Sequence, residues 1–496
     1  MDMNSISSQD EIKKIILHIE EKWPVEKWEV NHIKIWPYLR IKLYIHFLMM
    51  MNKKLEKDET TSDVKHGSSS KKTIFSKLFL IFSSFFKLNF FFFSLKKKSH
   101  LLFGSHIHRV KQNGLYFNRF YDSLVDIHHL KNKVYNVEYQ KVYPNIFNKE
   151  AVISLEQELR HYKNLLKFKG RFTSKKDTIS LENYDDFYAY LKQLPIRLDL
   201  LRFSVSDLKN WSRRVIALQP FFKRFYKKTQ PKTVVFLGFY GYDDLYAALL
   251  TANQMGIKTV DFQHGPQTNI HMVFSAWTKF PSEGYALLPK EFWNWDEFSK
   301  INIEKWCHKN KSIAKVVGQP FVNYWLKHNH FERSESNTII YSLQTFPFEI
   351  QDMLTPKIIQ LIKDLPYQWI LRLHPRNYIQ IEEIKAFLIQ NQIEDKTIIQ
   401  SSIDETPLPK ALLSSIVHIT NFSGCLIEAH LLGVPTILIN NIGKEMFSQY
   451  IDDKLVYYFN PEEEQFLNNV ASCIHSLKNS NQMESIKEYP NPFLNI

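Results

Sequence analysis

The chain has 496 residues, of which 44% are apolar and 23% charged, a balance typical of globular proteins and enough for about three domains of ~150 residues. Its three cysteines, Cys307, Cys425 and Cys473, lie far apart, which excludes a disulfide framework or a cysteine-based zinc module. The formal net charge is +13, but eleven lysines and arginines lie within residues 64–121, which contain no Asp or Glu. Because the basic charge is local, nucleic acid is not an expected partner.

The first 70 residues predict a helical extension followed by a linker. Ser8 and Glu11 have the spacing of a capping box and precede an apolar-periodic stretch at 12–19, which indicates a helix. The aromatic stretch at 28–51 contains three cations and therefore does not qualify as a membrane span. Residues 52–70 are charged and then rich in serine, a composition typical of a flexible linker.

Residues 71–98 predict a basic amphipathic helix rich in phenylalanine. Phe75, Phe79, Phe82 and Phe86 recur at helical spacing, with Lys71 and Lys72 before them and Lys96, Lys97 and Lys98 after them. Two interpretations fit: a helix lying in the interface of an anionic membrane leaflet, and a helix facing a protein core with solvated lysines. We expect the first, because lysine clusters flank both ends and phenylalanine is in surplus. The expected location is therefore cytoplasmic, attached peripherally to the inner face of the cytoplasmic membrane.

From residue 99 onward, short apolar runs alternate with helical patterns, which is typical of βαβ units and parallel sheets. We expect one Rossmann-like domain over 99–325, a second over 326–460 and a helical tail over 461–496. The predicted fold class is α/β, two tandem doubly wound domains with a hinge near 319–337 and a ligand cleft between them. The predicted strands include 101–104, 134–139, 234–238 and 257–262 in the first domain, and 338–343, 369–373, 396–400, 416–420 and 436–439 in the second.

Four short motifs stand at predicted carboxyl ends of strands, where open α/β sheets bind ligands. They supply these candidate residues: Gly238, Gly241, Asp243 and Asp244; Gln263, His264 and Gly265; Arg372, His374, Pro375 and Arg376; and Asn421, Ser423 and Gly424. Nine of the 13 glycines lie within residues 238–443, which indicates close approach of the backbone to a bound molecule.

The segment that begins at Ser423 has two interpretations. Ser423 and Gly424 start a predicted helix, whose N–H groups and dipole favour a phosphate. Glu428, one turn later, is placed to accept hydrogen bonds from ribose hydroxyls. The alternative is an ordinary helix cap, in which Ser423 bonds its own backbone. His374 and Arg372 at another strand end favour the phosphate, because an imidazole hydrogen-bonds a phosphate or protonates it as it leaves.

These residues resemble a known family. The His-Pro motif at His374 and Pro375 and the Ser motif at 420–424 are similar to those of GT-B glycosyltransferases of bacterial capsule and surface-polysaccharide biosynthesis, specifically Kdo transferases and bacterial sialyltransferases. The resemblance covers about residues 234–440 and departs at Gly424, where the family has a second Ser or Thr. Teichoic-acid CDP-glycerol polymerases carry a related pattern.

The resemblance implies a GT-B-like fold, with an acceptor domain at 99–325 and a nucleotide-sugar domain at 326–460. It also implies transfer of a sugar from a nucleotide sugar, most simply a CMP-sugar such as CMP-Kdo or CMP-sialic acid, to a surface glycan or lipid-linked acceptor. The nucleotide site is expected to comprise Arg372, His374, Pro375, Arg376, Asn421, Ser423, Gly424 and Glu428. The acceptor side of the cleft is expected to comprise Gly238, Gly241, Gln263 and Gly265.

Such a transfer needs a base for the acceptor hydroxyl and donors for the departing phosphate. His374 is the expected catalytic donor, and Asp243, Asp244 and His264 are the candidate bases. Each candidate base has an alternative role that the sequence supports equally. The two aspartates fit the role of carboxylates that interact with the dipole at the start of a helix, and His264 fits the role of a turn residue hydrogen-bonded to the backbone.

No metal or other cofactor is expected beyond the nucleotide-sugar co-substrate, because the chain contains no Asp-x-Asp sequence for a metal-bridged diphosphate. Three rival functions stay open: a CDP-glycerol-type polymer transferase, a nucleotide-sugar epimerase on the same fold, and a non-catalytic module that binds membrane and polysaccharide during capsule assembly.

Overall fold

A computed structural model describes residues 6, 8–51, 74–168, 177–328, 337–344, 348–374, 377, 379–400, 406–451, 453, 455–479 and 489–493. The predicted linker at 52–70 lies outside the described residues, as do Lys71, Lys72, Pro375, Arg376 and the side chain of Phe75.

The helices are Gln9–Lys22, Trp36–Met51, Ile74–Ser94, Tyr121–Ile127, Leu155–Phe168, Tyr184–Leu191, Leu198–Leu201, Val205–Thr229, Asp243–Gln254, Glu297–Cys307, Pro320–His328, Ile350–Met353, Pro356–Asp364, Ile381–Gln390, Leu408–Leu413, Cys425–Leu431, Asn441–Met446, Ser448–Ile451 and Phe466–Asn479. The strands are β1 (Glu29–Val30), β2 (Ile33–Lys34), β3 (His100–Gly104), β4 (Arg109–Gln112), β5 (Leu115–Asn118), β6 (Val134–Glu138), β7 (Val152–Ser154), β8 (Ile179–Ser180), β9 (Thr233–Phe236), β10 (Lys258–Phe262), β11 (Glu291–Asn294), β12 (Ile313–Val316), β13 (Thr338–Ser342), β14 (Gln368–Arg372), β15 (Thr397–Gln400), β16 (Val417–Thr420), β17 (Thr436–Leu438) and β18 (Val456–Tyr458).

The first domain is built on a seven-stranded sheet with the order β12-β11-β10-β9-β3-β6-β7. All neighbouring strands in it are parallel. Strands β3, β6, β9 and β11 are buried at every position, as expected of a parallel sheet covered by helices on both faces. The strand order reverses between β3 and β9, which leaves a crevice beyond the carboxyl ends of these two strands.

The second domain is built on a six-stranded parallel sheet with the order β15-β14-β13-β16-β17-β18, which reverses between β13 and β16. The five strands predicted for this domain are confirmed as β13 to β17. The predicted fold class, α/β with two tandem doubly wound domains and a helical N-terminus, is confirmed. The edge strand β18 was not predicted.

The N-terminal helices belong to the core of the first domain and are not an appended extension. Their buried side chains lie in the same apolar cluster as those of β3 and β9. Arg40 is fully buried and pairs with buried Glu20 at 2.7 Å, while its guanidinium lies 4.1 Å from the Trp277 ring centroid. It also donates to the carbonyls of Ser275 and Ala276. Thr278 donates its N–H to Glu20 as well, so the buried ion pair of the extension is hydrogen-bonded on both sides to the chain that follows β10.

The C-terminal residues, predicted as a helical tail over 461–496, also pack on the two domains. The helix Phe466–Asn479 buries its apolar face in the core of the second domain. Residues 489–493 contact the first domain, where the Phe493 ring packs on His100 and Trp293. The chain therefore crosses between the domains at its end as well as near residue 319.

One apolar cluster crosses between the two domains. It joins Trp293 and Trp295 of the first domain to Leu426 and Phe447 of the second. The Tyr450 hydroxyl also donates to Asp296 Oδ2 at 2.6 Å across the same boundary. The predicted hinge contains the helix Pro320–His328, which packs against Tyr121–Ile127, so the connection is anchored to the first domain.

The phenylalanine-rich helix Ile74–Ser94 packs on the first domain through Ser84, Leu88 and Phe92, which are buried against the helices Leu155–Phe168 and Val205–Thr229. Its opposite face is apolar and faces solvent: Phe79, Phe82, Phe86, Phe90 and Phe93 are 72%, 61%, 67%, 73% and 85% exposed. Among the residues that the structure describes, no helix has both the length and the apolar character to span a bilayer.

We predict that Arg40→Ala lowers the stability of the protein by about 3–5 kcal/mol, because the Glu20 carboxylate is left buried without its partner. Denaturant unfolding followed by tryptophan fluorescence measures the change. Lys14→Ala, which removes an exposed ion pair with Asp10, is the control and should leave the midpoint unchanged. Equal midpoints for Arg40→Ala and the wild type would contradict this account of the extension.

Candidate functional site

A narrow cavity lies where the two domains meet, at the carboxyl ends of β13, β14 and β16. Its lining residues are Val110, Arg119, Phe321, Ser342, Leu343, Arg372, Leu373, His374, Leu408, Ser423, Cys425 and Glu428. Its volume is about 50 Å³, which accommodates a phosphate-sized group but not a whole nucleotide sugar. A larger ligand therefore requires the cleft to widen around it.

Arg372 and His374 reach the cavity because β14 ends there. Arg372 is the last residue of the strand, and its Nη1 donates to Gln400 Oε1 and to the Thr406 carbonyl, both at 2.7 Å. These bonds fix the guanidinium, and within the described residues its Nε and Nη2 groups make no hydrogen bond, so they are placed to donate to a ligand. His374, two residues later, lines the same cavity, so the structure brings these two predicted residues together.

Glu428 lies on the opposite wall, on the helix Cys425–Leu431, and is buried. Its Oε1 accepts a hydrogen bond from Gln319 Nε2 at 2.8 Å. Burial raises the pKa of Glu428, whereas the guanidinium groups of Arg119 and Arg372 and the bond from Gln319 act to lower it. The carboxyl group thus interacts with cations from both domains.

Arg119 is a site residue that the sequence analysis missed. It lies directly after β5, at the end of the β4–β5 hairpin, and the buried Arg109 at the start of that hairpin pairs with Glu138 at 2.6 Å and Asp122 at 3.2 Å. The Arg119 N–H donates to the His108 carbonyl, and the guanidinium lies 4.8 Å from the Phe120 ring centroid. The only sequence signal for Arg119 is its place in the basic window at 64–121, outside the predicted membrane-contact helix at 71–98.

Ser423 and Asn421 support the turn that follows β16. Ser423 Oγ accepts from the Cys425 N–H at 3.3 Å, and the Ser423 N–H donates to Thr420 Oγ1, so Ser423 bonds the backbone of its own turn while Gly424 holds the N-cap position. Asn421 is buried and donates to the Tyr341 hydroxyl, so it stabilises the sheet and is not on the cavity wall. Ser423 does line the cavity.

Gly424 meets the other domain directly. A Cβ at this position would lie 3.2 Å from Cδ and Cγ of Pro266, which follows Gly265. The motif after β16 and the motif after β10 therefore touch across the cleft. A serine or threonine at this position would need Pro266 to move by a few tenths of an ångström.

His264 lies in the first domain next to this contact. A Cβ on Gly238, whose φ is +82°, would lie 3.2 Å from His264 Cε1, so glycine is needed there for both space and conformation. The His264 ring is 5.7 Å from that of His108, centroid to centroid. Enclosure by protein lowers the pKa of His264 to about 4, and Arg119 contributes to this lowering. His264 is therefore neutral at pH 7.

Gln263 does not face the cleft. It is completely buried, donates to the Gly265 carbonyl and to Ser299 Oγ, and accepts from the Trp295 N–H. These bonds use its donor and acceptor groups to hold the loop that carries His264 and Gly265. Gln263 therefore does not line the acceptor side of the cleft, contrary to the prediction, but supports the loop.

Asp243 and Asp244 are not on the cavity that holds His374. Asp243 pairs with Arg214 at 2.6 Å and Asp244 pairs with Lys163 at 2.9 Å, both at the start of the helix Asp243–Gln254. The structure thus supports the helix-start interpretation. It differs from the prediction that these carboxylates face the cleft as candidate bases, since Arg214 and Lys163 on neighbouring helices pair with them. Gly241 and Asp243 instead line a separate groove.

No family model and no curated protein matches the chain. Among solved structures, S. aureus MnaA in a co-structure with UDP is 10% identical, with a TM-score of 0.44 over 77% of this chain and 90% of that one. The Neisseria meningitidis UDP-GlcNAc 2-epimerase bound to UDP-GlcNAc is 13% identical, with a TM-score of 0.44 over 77% and 94% of the chains. Acinetobacter baumannii MurG is 10% identical, with a TM-score of 0.40 over 77% and 92%.

The two strand orders and the cavity between the domains themselves define a two-domain α/β protein of the GT-B-like class.

We predict that the neutral His264 contributes stability that is present above pH 6.5 and is lost as the pH falls toward about 4. The sign follows because the unfolded chain takes up a proton in this interval and the folded protein does not. His264→Gln should flatten the dependence of unfolding free energy on pH by up to about 1.4 kcal/mol per pH unit between these limits. Denaturant titrations at a series of pH values test this, and a slope identical to that of the wild type would contradict it.

Proposed function

We propose that this chain transfers a sugar from a nucleotide-activated donor to the hydroxyl group of an acceptor. The observation that carries the proposal is the cavity at the domain boundary, to which one domain contributes Arg119 and the other Arg372. Guanidinium groups match the oxygens of a phosphate through planar, paired N–H donors. A cavity at the carboxyl ends of parallel strands, with one guanidinium from each domain, favours a ligand whose phosphate is held between the domains.

In the proposed reaction, the acceptor hydroxyl gives its proton to His264, and its oxygen forms a bond to the anomeric carbon of the donor sugar. The bond from that carbon to the phosphate oxygen breaks, and the electron pair leaves with the nucleotide. Arg119 and Arg372 stabilise the charge that develops on the phosphate, and His374 donates a hydrogen bond to it. His264 is proposed as the base because it lies two residues before Pro266, which meets Gly424 across the cleft, and its neutral ring has a nitrogen that can accept a proton. No step of the proposal uses a metal ion.

The proposed donor is a CMP-sugar and the proposed acceptor a surface glycan or a lipid-linked precursor of one. The support is the sequence pattern of His374 and Ser423, which line the cavity. A UDP-sugar or CDP-glycerol donor would use the same guanidinium groups, so nucleotide selectivity decides between them. An epimerase would convert the free nucleotide sugar without any acceptor, which an acceptor-free assay detects.

We predict that one of CMP, CDP, UDP, GDP or ADP raises the melting temperature of the protein, with CMP the most effective. A nucleotide at about 100 times its Kd adds about 2.7 kcal/mol. Arg119→Gln should weaken this binding by about 10- to 100-fold, since it removes charged hydrogen bonds worth about 1.5–3 kcal/mol. Lys111→Gln, on the same hairpin, is the control.

If a nucleotide other than CMP stabilises the protein selectively, the donor sugar is activated by that nucleotide. The proposed class of reaction is unchanged. A folded protein that responds to none of the five would contradict the proposal and favour the non-catalytic alternative. The assays are run with and without EDTA, and equal results are expected because the proposed chemistry relies on guanidinium groups.

We further propose that the protein attaches to the surface of an anionic membrane through the solvent-facing side of the helix Ile74–Ser94. Five phenylalanines on that side are more than 60% exposed, which is costly in water and favourable in the interface of a bilayer. The exposed Lys87, Lys96 and Lys97 lie beside them, and residues 64–121 contain no Asp or Glu. Because the charge is uniformly positive, an anionic leaflet fits this surface better than an apolar protein partner does.

The proposed membrane surface is connected to the carboxyl end of β9 by one helix. Leu155–Phe168 packs along Ile74–Ser94, with Asn164 Nδ2 donating to Ser84 Oγ at 3.3 Å. The same helix carries Lys163, which pairs with Asp244. A lipid-linked acceptor held at the membrane would therefore approach the first domain on the side where β9 ends.

We predict that Phe86→Ser combined with Phe90→Ser reduces binding to vesicles of phosphatidylcholine and phosphatidylglycerol by at least about tenfold. Each phenylalanine buried in the bilayer contributes about 1.5–3 kcal/mol. Vesicle co-sedimentation measures binding, and added salt should weaken that of the wild type. Ile389→Ser, at a 60% exposed position in the second domain, is the control and should bind as the wild type does. Undiminished binding of the phenylalanine variant would contradict the proposal.

A further inference from the structure

A second cavity lies in the first domain and is separate from the one at the domain boundary. It is a groove of about 630 Å³, lined by Tyr38, Ile41, Lys42, Ile45, Asp199, Leu200, Arg202, Asp207, Asn210, Trp211, Arg214, Gly241, Asp243 and Tyr246. This volume is in the range of small-molecule binding sites. The groove begins at Gly241 and Asp243, beyond the carboxyl end of β9, and extends to the N-terminal helix Trp36–Met51.

The floor of the groove is apolar and rigid. The rings of Tyr38 and Trp211 stack with centroids 4.0 Å apart, and Tyr246 packs edge-on against Tyr38. Leu200 is 45% exposed at one side. Lys42 Nζ donates to the Leu201 carbonyl at 2.6 Å and to the Tyr38 hydroxyl at 3.2 Å, which fixes the ammonium group over the aromatic floor.

The charged groups around the groove balance one another. Three cations, Lys42, Arg202 and Arg214, face three carboxylates, Asp199, Asp207 and Asp243. Arg214 is already paired with Asp243, and Asp199 with Arg197. The side chains of Arg202 and Asn210 are exposed and make no hydrogen bond or ion pair within the part of the chain that the structure describes. The groove therefore offers both donors and acceptors without a net charge.

We infer that this groove binds the saccharide chain of the acceptor, at a distance from the sugar that receives the transfer. A sugar hydroxyl both donates and accepts, which matches a rim where amide, guanidinium and carboxylate groups alternate. The apolar face of a sugar ring gains by packing on Leu200 and the aromatic floor. A polyphosphate would require excess cations, and a basic peptide would require excess carboxylates. The inference rests on the proposed function, because it takes the saccharide to be the acceptor.

The test uses the full-length protein on a printed array of neutral and acidic bacterial oligosaccharides. We expect the wild type to bind a subset of them, and Leu200→Trp, which fills the groove, to weaken that binding by at least tenfold. Arg202→Gln should also weaken it. Ile216→Trp, a comparably exposed position on Val205–Thr229 that is not among the lining residues, should bind as the wild type does.

Two results would overturn the inference: a wild type that binds no saccharide on the array, or binding that Leu200→Trp leaves unchanged. Nucleotide stabilisation of Leu200→Trp is measured in parallel and should equal that of the wild type, which also shows that the variant is folded. If no nucleotide stabilises either protein but Leu200→Trp still abolishes saccharide binding, the proposed transfer fails while the groove remains a saccharide site.

Discussion

The arrangement of the candidate site depends on one buried carboxyl group that the two domains share. Glu428 has little contact with water, so its burial is costly unless cations and hydrogen-bond donors surround it. Arg372 comes from the same domain, Arg119 from the other, and Gln319 from the connection between them. Docking of the domains and neutralisation of this carboxyl group are therefore one event. A phosphate that enters the cavity would compete with Glu428 for the same guanidinium groups, which couples ligand binding to the fit of the domains.

The close packing of the domains explains why the cavity is small. Trp293 and Phe447 lie in one apolar cluster, and Gly424 lies so near Pro266 that a Cβ added to it would be only 3.2 Å from the proline ring. Apolar contacts of this kind favour the docked arrangement because they remove surface from water. A nucleotide sugar has to open the cleft against these contacts, so part of its binding energy is spent on moving the domains.

The N-terminal helices bring three features of the first domain together. Arg40 anchors them with a buried ion pair, and the neighbouring Tyr38 and Lys42 complete the groove beside Asp243. The phenylalanine-rich helix lies against Leu155–Phe168, whose Lys163 reaches Asp244. The proposed membrane surface, the proposed saccharide groove and the carboxyl end of β9 thus belong to one domain. An acceptor chain presented at a membrane would meet all of them before it reached the cavity.

The sequence by itself determined the fold class and the strands β13 to β17, because apolar periodicity and strand-end turns are local properties of the chain. It also placed Arg372, His374 and Ser423 at strand ends, and parallel sheets bring such ends to one edge. The strands β11 and β12 escaped prediction because Glu291, Asn294 and Lys315 interrupt their apolar runs, and the edge strand β18 was also not predicted. Only the tertiary structure decided that Arg119 joins the cavity and that Asp243 and Asp244 leave it. The reason is physical: which charged groups meet depends on how two sheets and their covering helices dock, and residues far apart in the chain become neighbours only then.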